Sequence, residues 1–315
     1  MKEKIIVIVG PTGVGKTKLS LELAQDLAGE IINGDSMQVY RGLDIGTGKV
    51  TESEKAGIPH HLLDILEVQE DYSVSDFQSQ GRMKIEAVAS KNRLPIIVGG
   101  TGLYIESLIY DVSHGKDAQP DNEYRAKLQD LADQEGREYI WQLLNRLDPK
   151  AAAKIHPNNL VRTIRALEVY HVTGETFSSF QDEKKKGPAL YQAFIIGLNT
   201  DRSKLYDRIN TRVDQMVDKG LLEEVKWLKA KTKEDAQSRR GIGYREVLSY
   251  LDGDQTFEEA IRDIKQNSRH YAKRQLTWFH NRTPVDKWYD LIQDPGQLEE
   301  VIKDVKNFLE EDYIE

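Results

Sequence analysis

Gly10, Pro11, Thr12, Gly13, Val14, Gly15, Lys16 and Thr17 match the pattern G-x-x-x-x-G-K-[ST]. The chemistry behind this pattern is anion binding. Glycines let backbone N–H groups turn inward onto phosphate oxygens, Lys16 adds a point charge, and the Thr17 hydroxyl can hold Mg²⁺. The pattern does not say which phosphate is held. An ATPase carries an acid at the end of a buried strand to orient Mg²⁺ and water, yet here the apolar run Leu94–Val98 ends in Gly99, Gly100 and Thr101. The available acid is Asp35, just past the run Glu30–Asn33. It could accept a proton or hydrogen bond from an acceptor; the competing reading is an Asx-turn or helix cap. Together the two features point away from hydrolysis and toward transfer onto a bound acceptor.

These residues need elements to hold them. The runs 4–9, 30–33, 94–98 and 191–198 are short and apolar, of the kind that forms buried parallel strands. Helical patterns over 17–28 and 74–91 alternate with them, which predicts an α/β fold: a P-loop NTPase-like parallel sheet flanked by helices. Asp35 then lies at the carboxyl edge of that sheet, where ligand sites of open parallel sheets occur. Between about Gly115 and Gly187 no strand is evident, and helices at 121–135, 137–147 and 158–172 are separated by turn signals. The reading is a helical insertion at 115–189 in a core made of 1–114 and 190–315. Segment 182–188 reads as a solvated loop. Helices follow at 201–218, 220–230, 243–251, 256–280 and 297–311.

At this point the motifs carry a resemblance. GPTGVGKT, GDSMQVYRGLDIGTGK, VGGTGLY, HPNNLVRTIRALEVY, GIGYRE and AKRQLTWFH, in this order over about residues 5–282, resemble the tRNA dimethylallyltransferase family. The resemblance implies transfer of a dimethylallyl group from dimethylallyl diphosphate to the exocyclic amine of adenosine 37, beside the tRNA anticodon, with Mg²⁺. It implies that residues 10–17 hold the donor diphosphate, that Lys16 and Thr17 neutralise the leaving group, that Asp35 is the base, and that Arg212 orients the diphosphate. It further implies RNA contacts from Asp35, Ser36, Met37, Gln38, Thr101, Arg125, Val161, Arg162, Arg165, Arg240, Gly241, Gly243, Tyr244, Arg245, Lys273 and Arg274. At Val161 some family members have a polar residue, so Arg162 and Arg165 are the firmer contacts. Alternatives from the residues are a P-loop small-molecule kinase and an RNA-binding module that uses the loop as a switch; resemblance to a related family with a similar core adds a prenyltransferase of free adenine nucleotides.

Charge first argues against RNA: 315 residues carry a formal net charge of -8. The acidity is uneven. Tyr289–Glu315 has a net charge of -7, whereas Arg262–Lys287 has +5. Arg262, Lys265, Arg269 and Lys273 follow helical spacing along one face, with Asp263 the acid between 262 and 273, and Arg239, Arg240 and Arg245 flank Gly241 to Tyr244. That hardware suits a base extruded from a loop, read by stacking and by phosphate contacts. Cysteine is absent, which excludes Cys-ligated metal sites. The adjacent His60 and His61 would face opposite ways on a strand and are not read as a metal pair. No apolar run reaches a membrane span's roughly 20 residues, and the first residues run directly into the loop motif. The expectation is a cytoplasmic monomer.

Overall fold

The computed structural model describes residues 2–111, 121–182 and 187–311. It divides into two compact units, Met1–Ile109 with Leu190–Glu315, and Tyr110–Ala189. The first unit contains β1 (Lys4–Val9), α1 (Lys16–Asp26), β2 (Gly29–Asn33), α2 (Glu52–Lys55), β3 (His60–His61), α3 (Val74–Ala89), β4 (Leu94–Gly99) and α4 (Gly102–Ile109). The second contains α5 (Asn122–Glu135), α6 (Arg137–Leu147), α7 (Pro149–Ala152), α8 (Leu160–Thr173) and α9 (Phe177–Asp182). The chain then returns to the first unit with β5 (Gln192–Leu198), α10 (Arg202–Asp218), α11 (Leu221–Lys231), a 3₁₀ turn (Gln237–Arg240), α12 (Tyr244–Asp252), α13 (Phe257–Arg282), β6 (Lys287–Tyr289) and α14 (Gln297–Glu310).

The six strands form one parallel sheet in the order β3-β2-β4-β1-β5-β6. The β-branched run of β1 is central, and Ile5 to Val9 are fully buried, as a strand covered on both faces requires. Because all strands run the same way, the loops after β1, β2 and β4 emerge at one edge of three neighbouring strands. That edge collects residues 10–17, Asp35 and Thr101. The two edge strands, β3 and β6, are absent from the expected elements. At two and three residues they are too short to show a period. Helix α4 is also unanticipated, because its glycine-rich entry reads as a loop.

In the second unit the described residues form helices and no named strand. Leu128, Ile140, Leu144, Ile155 and Leu167 make its core. Asp148 is buried because both oxygens are used: Oδ1 accepts the Ala151 N–H (3.0 Å) and Oδ2 the Ser178 N–H (2.7 Å). Helix α8 begins at Leu160 rather than 158, since Asn159 is its N-cap and accepts from the Arg162 N–H. The charged loop at 182–188, the expected boundary at 114/115 and the end of the acidic tail fall largely outside the described residues.

Candidate active site

Residues 10–17 connect β1 to α1, as a phosphate loop requires. Lys16 Nζ donates to the carbonyls of Gly10 (3.0 Å) and Pro11 (2.8 Å). Burial pulls its ammonium down to about 8, with Asp35 pulling back and Arg212 adding to the fall. A buried amide fixes the loop from outside. Gln275 Oε1 accepts the Thr12 N–H (2.9 Å), and Gln275 Nε2 donates to the Gly100 carbonyl (2.9 Å). One α13 side chain therefore joins the phosphate loop to the end of β4. A Cβ on Gly100 would lie 2.0 Å from Gln275 Nε2, so this approach needs glycine. Within the motif AKRQLTWFH, which the resemblance sets toward RNA, Ala272, Gln275 and Phe279 are buried, because they form the inward stripe of α13, and Lys273 and Arg274 are exposed.

Asp35 is held by its neighbours. Asn33 Oδ1 accepts the Asp35 N–H (3.1 Å), while Asn33 Nδ2 donates to the Asp35 (3.1 Å) and Leu62 (3.0 Å) carbonyls. Asp35 Oδ1 accepts the Met37 N–H at 2.8 Å, an Asx-turn. The bland reading of Asp35 is thus present, yet the second oxygen has no hydrogen-bond partner among the described residues, and Asp35 lines a cavity of about 130 Å³. Thr12, Ser36, Met37 and Arg212 share that cavity, and Ile209, Val213, Met216, Ile242 and Ile264 make an apolar side to it. Burial lowers the pKa of the Arg212 guanidinium, and Asp35 opposes this; an arginine stays charged regardless.

The support of Arg212 is a set of contacts that sequence reasoning missed. Arg212 Nη2 donates to the Thr47 carbonyl (3.0 Å), which also accepts from Gln38 Nε2 (3.3 Å). The loop carrying Thr47 is shaped by Glu224 of α11. Its Oε2 accepts the Asp44 (2.9 Å) and Ile45 (2.8 Å) N–H groups, and its Oε1 accepts the Gly46 N–H (2.9 Å) and the Tyr244 hydroxyl (2.6 Å). Tyr244 is buried, which corrects the expectation that its ring could stack on a base. Burial, then Glu224, raises the phenol's pKa well above its ordinary value, so it stays a donor. Glu246 holds the next turn, accepting from the Gly243 N–H (2.7 Å), Arg245 Nε (2.7 Å) and Asn267 Nδ2 (2.8 Å).

The expected RNA-facing residues divide between the units. In the first, Ser36, Met37, Gly241 and Tyr244 line the cavity with Asp35, Gln38 reaches Thr47, and Thr101 follows β4. Gly243 precedes α12, and Arg240 and Arg245 are exposed. Lys273 and Arg274 are exposed on α13 beside His270 and Trp278, bordering a groove of about 690 Å³. In the second, Val161 and Arg162 are exposed, while Arg125 and Arg165 converge on buried Glu168 at 2.7 and 2.5 Å. Burial alone would raise the Glu168 carboxyl, but these two arginines hold it below its usual value. Two readings of the basic patch need correction. Arg239 donates to Thr232 Oγ1 (2.7 Å) and to the Lys229 carbonyl (2.8 Å), closing the end of α11. The α13 stripe is not free of acids: Lys265 pairs with Asp214 at 2.6 Å and Arg269 donates to Asn210 Oδ1 at 2.7 Å. Both partners come from α10, so the acids on α13 alone did not reveal them.

Among the described residues no group of three or more His, Asp or Glu could hold a metal. His61 Nε2 is paired with Glu30 (2.7 Å) and His60 Nδ1 with the Ile58 carbonyl (2.8 Å), so the adjacent histidines have other roles. A diphosphate-bound Mg²⁺ needs few protein ligands, because it keeps waters and takes phosphate oxygens. The single hydroxyl of Thr17 at the start of α1 fits that donor set.

The chain is similar to known proteins in sequence and fold. A family model described as IPP transferase matches residues 38–282. The tRNA dimethylallyltransferase of Latilactobacillus sakei is 52% identical over 312 residues, covering 98% of this chain and 99% of the relative. That of Bacillus subtilis is 51% identical over 290 residues, covering 92% and 91%. Among solved structures, the full-length tRNA isopentenylpyrophosphate transferase of Bacillus halodurans superposes with a TM-score of 0.74 at 47% identity, covering 98% of this chain and 97% of that one. A eukaryotic dimethylallyltransferase acting on tRNA gives 0.82 at 31% identity, covering 98% and 79%. With a phosphate loop, an acid at the next strand end and relatives matched along nearly their whole length, this chain belongs to the IPP transferase family.

Proposed function

We propose that this chain is a tRNA prenyltransferase that moves a dimethylallyl group from dimethylallyl diphosphate to the exocyclic amine of the adenosine beside the anticodon. The observation that carries the reading is the cavity itself, which gathers Asp35, Arg212 and Thr12 of the phosphate loop. The allylic C–O bond breaks as the N–C bond forms. The allylic carbon tolerates positive character, so the main demand is to stabilise the departing diphosphate. Lys16, Arg212 and the N–H groups of residues 10–17 serve that role. Thr17 would hold Mg²⁺, which supplies further positive charge to the diphosphate when bound. The adenine amine is a weak nucleophile because its lone pair is delocalised. The open oxygen of Asp35 takes the amine proton, and the Asx-turn fixes its aim.

The adenine reaches the cavity only after leaving its stack. Lys273, Arg274, Arg240 and Arg245 hold the RNA backbone in this reading, with Arg125, Val161, Arg162 and Arg165 adding contacts from the helical unit. Family membership sets aside the kinase and switch readings. Relatives named for tRNA, at about half identity along nearly the full chain, favour tRNA over free adenine nucleotides. Among the described residues no helix is long and apolar enough to cross a membrane. Action in the cytoplasm, as a monomer, belongs to the same proposal. The test is mass analysis of tRNA incubated with the chain, dimethylallyl diphosphate and Mg²⁺. A five-carbon gain on the adenosine beside the anticodon is expected, and its absence defeats the reading.

A further inference from the structure

Two helices define the depth of the cavity. Arg208 Nε of α10 donates to the Gly13 carbonyl at 2.9 Å, and Gln275 of α13 holds Thr12, so both helices start from the phosphate loop at these residues. They then run antiparallel away from it, since Asn210 meets Arg269 and Asp214 meets Lys265. The lining residues change character along this ladder. Arg212 and Tyr271 line the cavity nearer the loop, whereas Met216 and Ile264 line it farther along the ladder, with Ile242 entering from the turn before α12. From Ile209, packed on Gly13, to Met216 is seven residues, or about 10 Å of helix. Val213 and Ile264 are buried, while Met216 and Ile242 are only half-buried.

We infer that Met216 and Ile242 form the end wall that limits the donor to a five-carbon chain. The inference rests on the prenyl-transfer reading above and adds to it the residues that set donor length. With the diphosphate on the loop and Arg212, the hydrocarbon points down the ladder toward these side chains. The cavity volume is about 130 Å³. The adenine enters the same cavity at Asp35, so between Arg212 and these two side chains there is room for a short apolar tail and none for a second isoprene unit. The wall therefore accepts a five-carbon donor and rejects a ten-carbon one. Its two members are half-buried, so shortening them enlarges the space without opening the core that Val213 and Ile264 belong to.

The test compares geranyl diphosphate with dimethylallyl diphosphate as donors to the same tRNA. For Met216→Ala and Ile242→Ala, the ratio of kcat/KM values, ten-carbon over five-carbon, rises on the order of tenfold to a hundredfold over the unsubstituted chain, the range a few methylenes give in an apolar pocket. The same ratio is read as equilibrium binding of the two diphosphates, which does not depend on turnover. A rise in either variant supports the wall. An unchanged ratio in both, by turnover and by binding, overturns it while leaving prenyl transfer standing. An unsubstituted chain that transfers neither donor overturns the prenyl-transfer reading and the wall with it.

Discussion

Lys16 makes donor binding depend on pH in a range where the donor itself does not titrate. In the free protein its ammonium is buried against two loop carbonyls and its pKa lies at about 8. A bound diphosphate puts anionic oxygens beside the same nitrogen and restores the ordinary lysine value of about 10.4 or higher. The sign follows. Binding favours the protonated lysine, so affinity is full below pH 8 and falls as pH rises through the free-state value toward the bound-state value. Between pH 7 and 9.5 the loss works out at roughly thirtyfold, or about 2 kcal/mol. At pH 8, about half a proton is taken up per donor bound.

The assay is calorimetric titration of an unreactive thio-analogue of dimethylallyl diphosphate, in buffers of differing ionisation heat so that protons are counted. A phosphate ester has its last ionisation near 6, so the ligand is constant across the range. Lys16→Arg is the control, because a guanidinium stays charged throughout; its affinity should be flat from pH 7 to 9.5, whatever its absolute value. An equal decline in wild type and Lys16→Arg would refute the assignment of the titration to Lys16. A flat wild-type profile would refute the depressed ammonium itself.

Other predictions concern single contacts. Asp35→Ala should lower single-turnover transfer by about 10²–10⁴-fold while tRNA binding, measured by filter retention, is preserved; full activity would dismiss Asp35 as base. Gln275→Leu strands the buried Thr12 N–H and Gly100 carbonyl, each worth about 1–3 kcal/mol, so a lower melting temperature and weaker donor binding should appear together. Glu224→Ala frees three loop N–H groups and the Tyr244 hydroxyl, and should raise the donor KM through the loss of Arg212's anchor at Thr47. An unchanged KM would mean Arg212 is set by packing alone. Arg274→Ala should weaken tRNA binding and reduce the slope of log K against log salt by about 0.7–0.9, the share of one phosphate contact.

What the sequence made legible tracks how local each interaction is. The phosphate loop and Asp35 are strand-end features whose geometry follows from a few neighbouring residues, so pattern alone located them. Arg212 has no local signature and came only through family resemblance. Glu224 and Gln275 had neither advantage. Glu224 reads as an ordinary acid in a helix's first turn, yet its partners lie 178 to 180 residues earlier; Gln275 reaches back 263 residues to Thr12. No spacing rule connects such pairs, because the sheet and not the chain brings them together. The same reasoning explains the α13 stripe, where the acid that pairs with Lys265 belongs to α10. The net charge of a segment counts only its own residues, so a cationic helix face can be neutralised by an antiparallel neighbour. Lys273 and Arg274, exposed beyond the last α10 pairing at Arg269, have no hydrogen-bond or ion-pair partner on α10 among the described residues, so under the proposed RNA contact the salt slope should follow them rather than the paired Lys265 and Arg269.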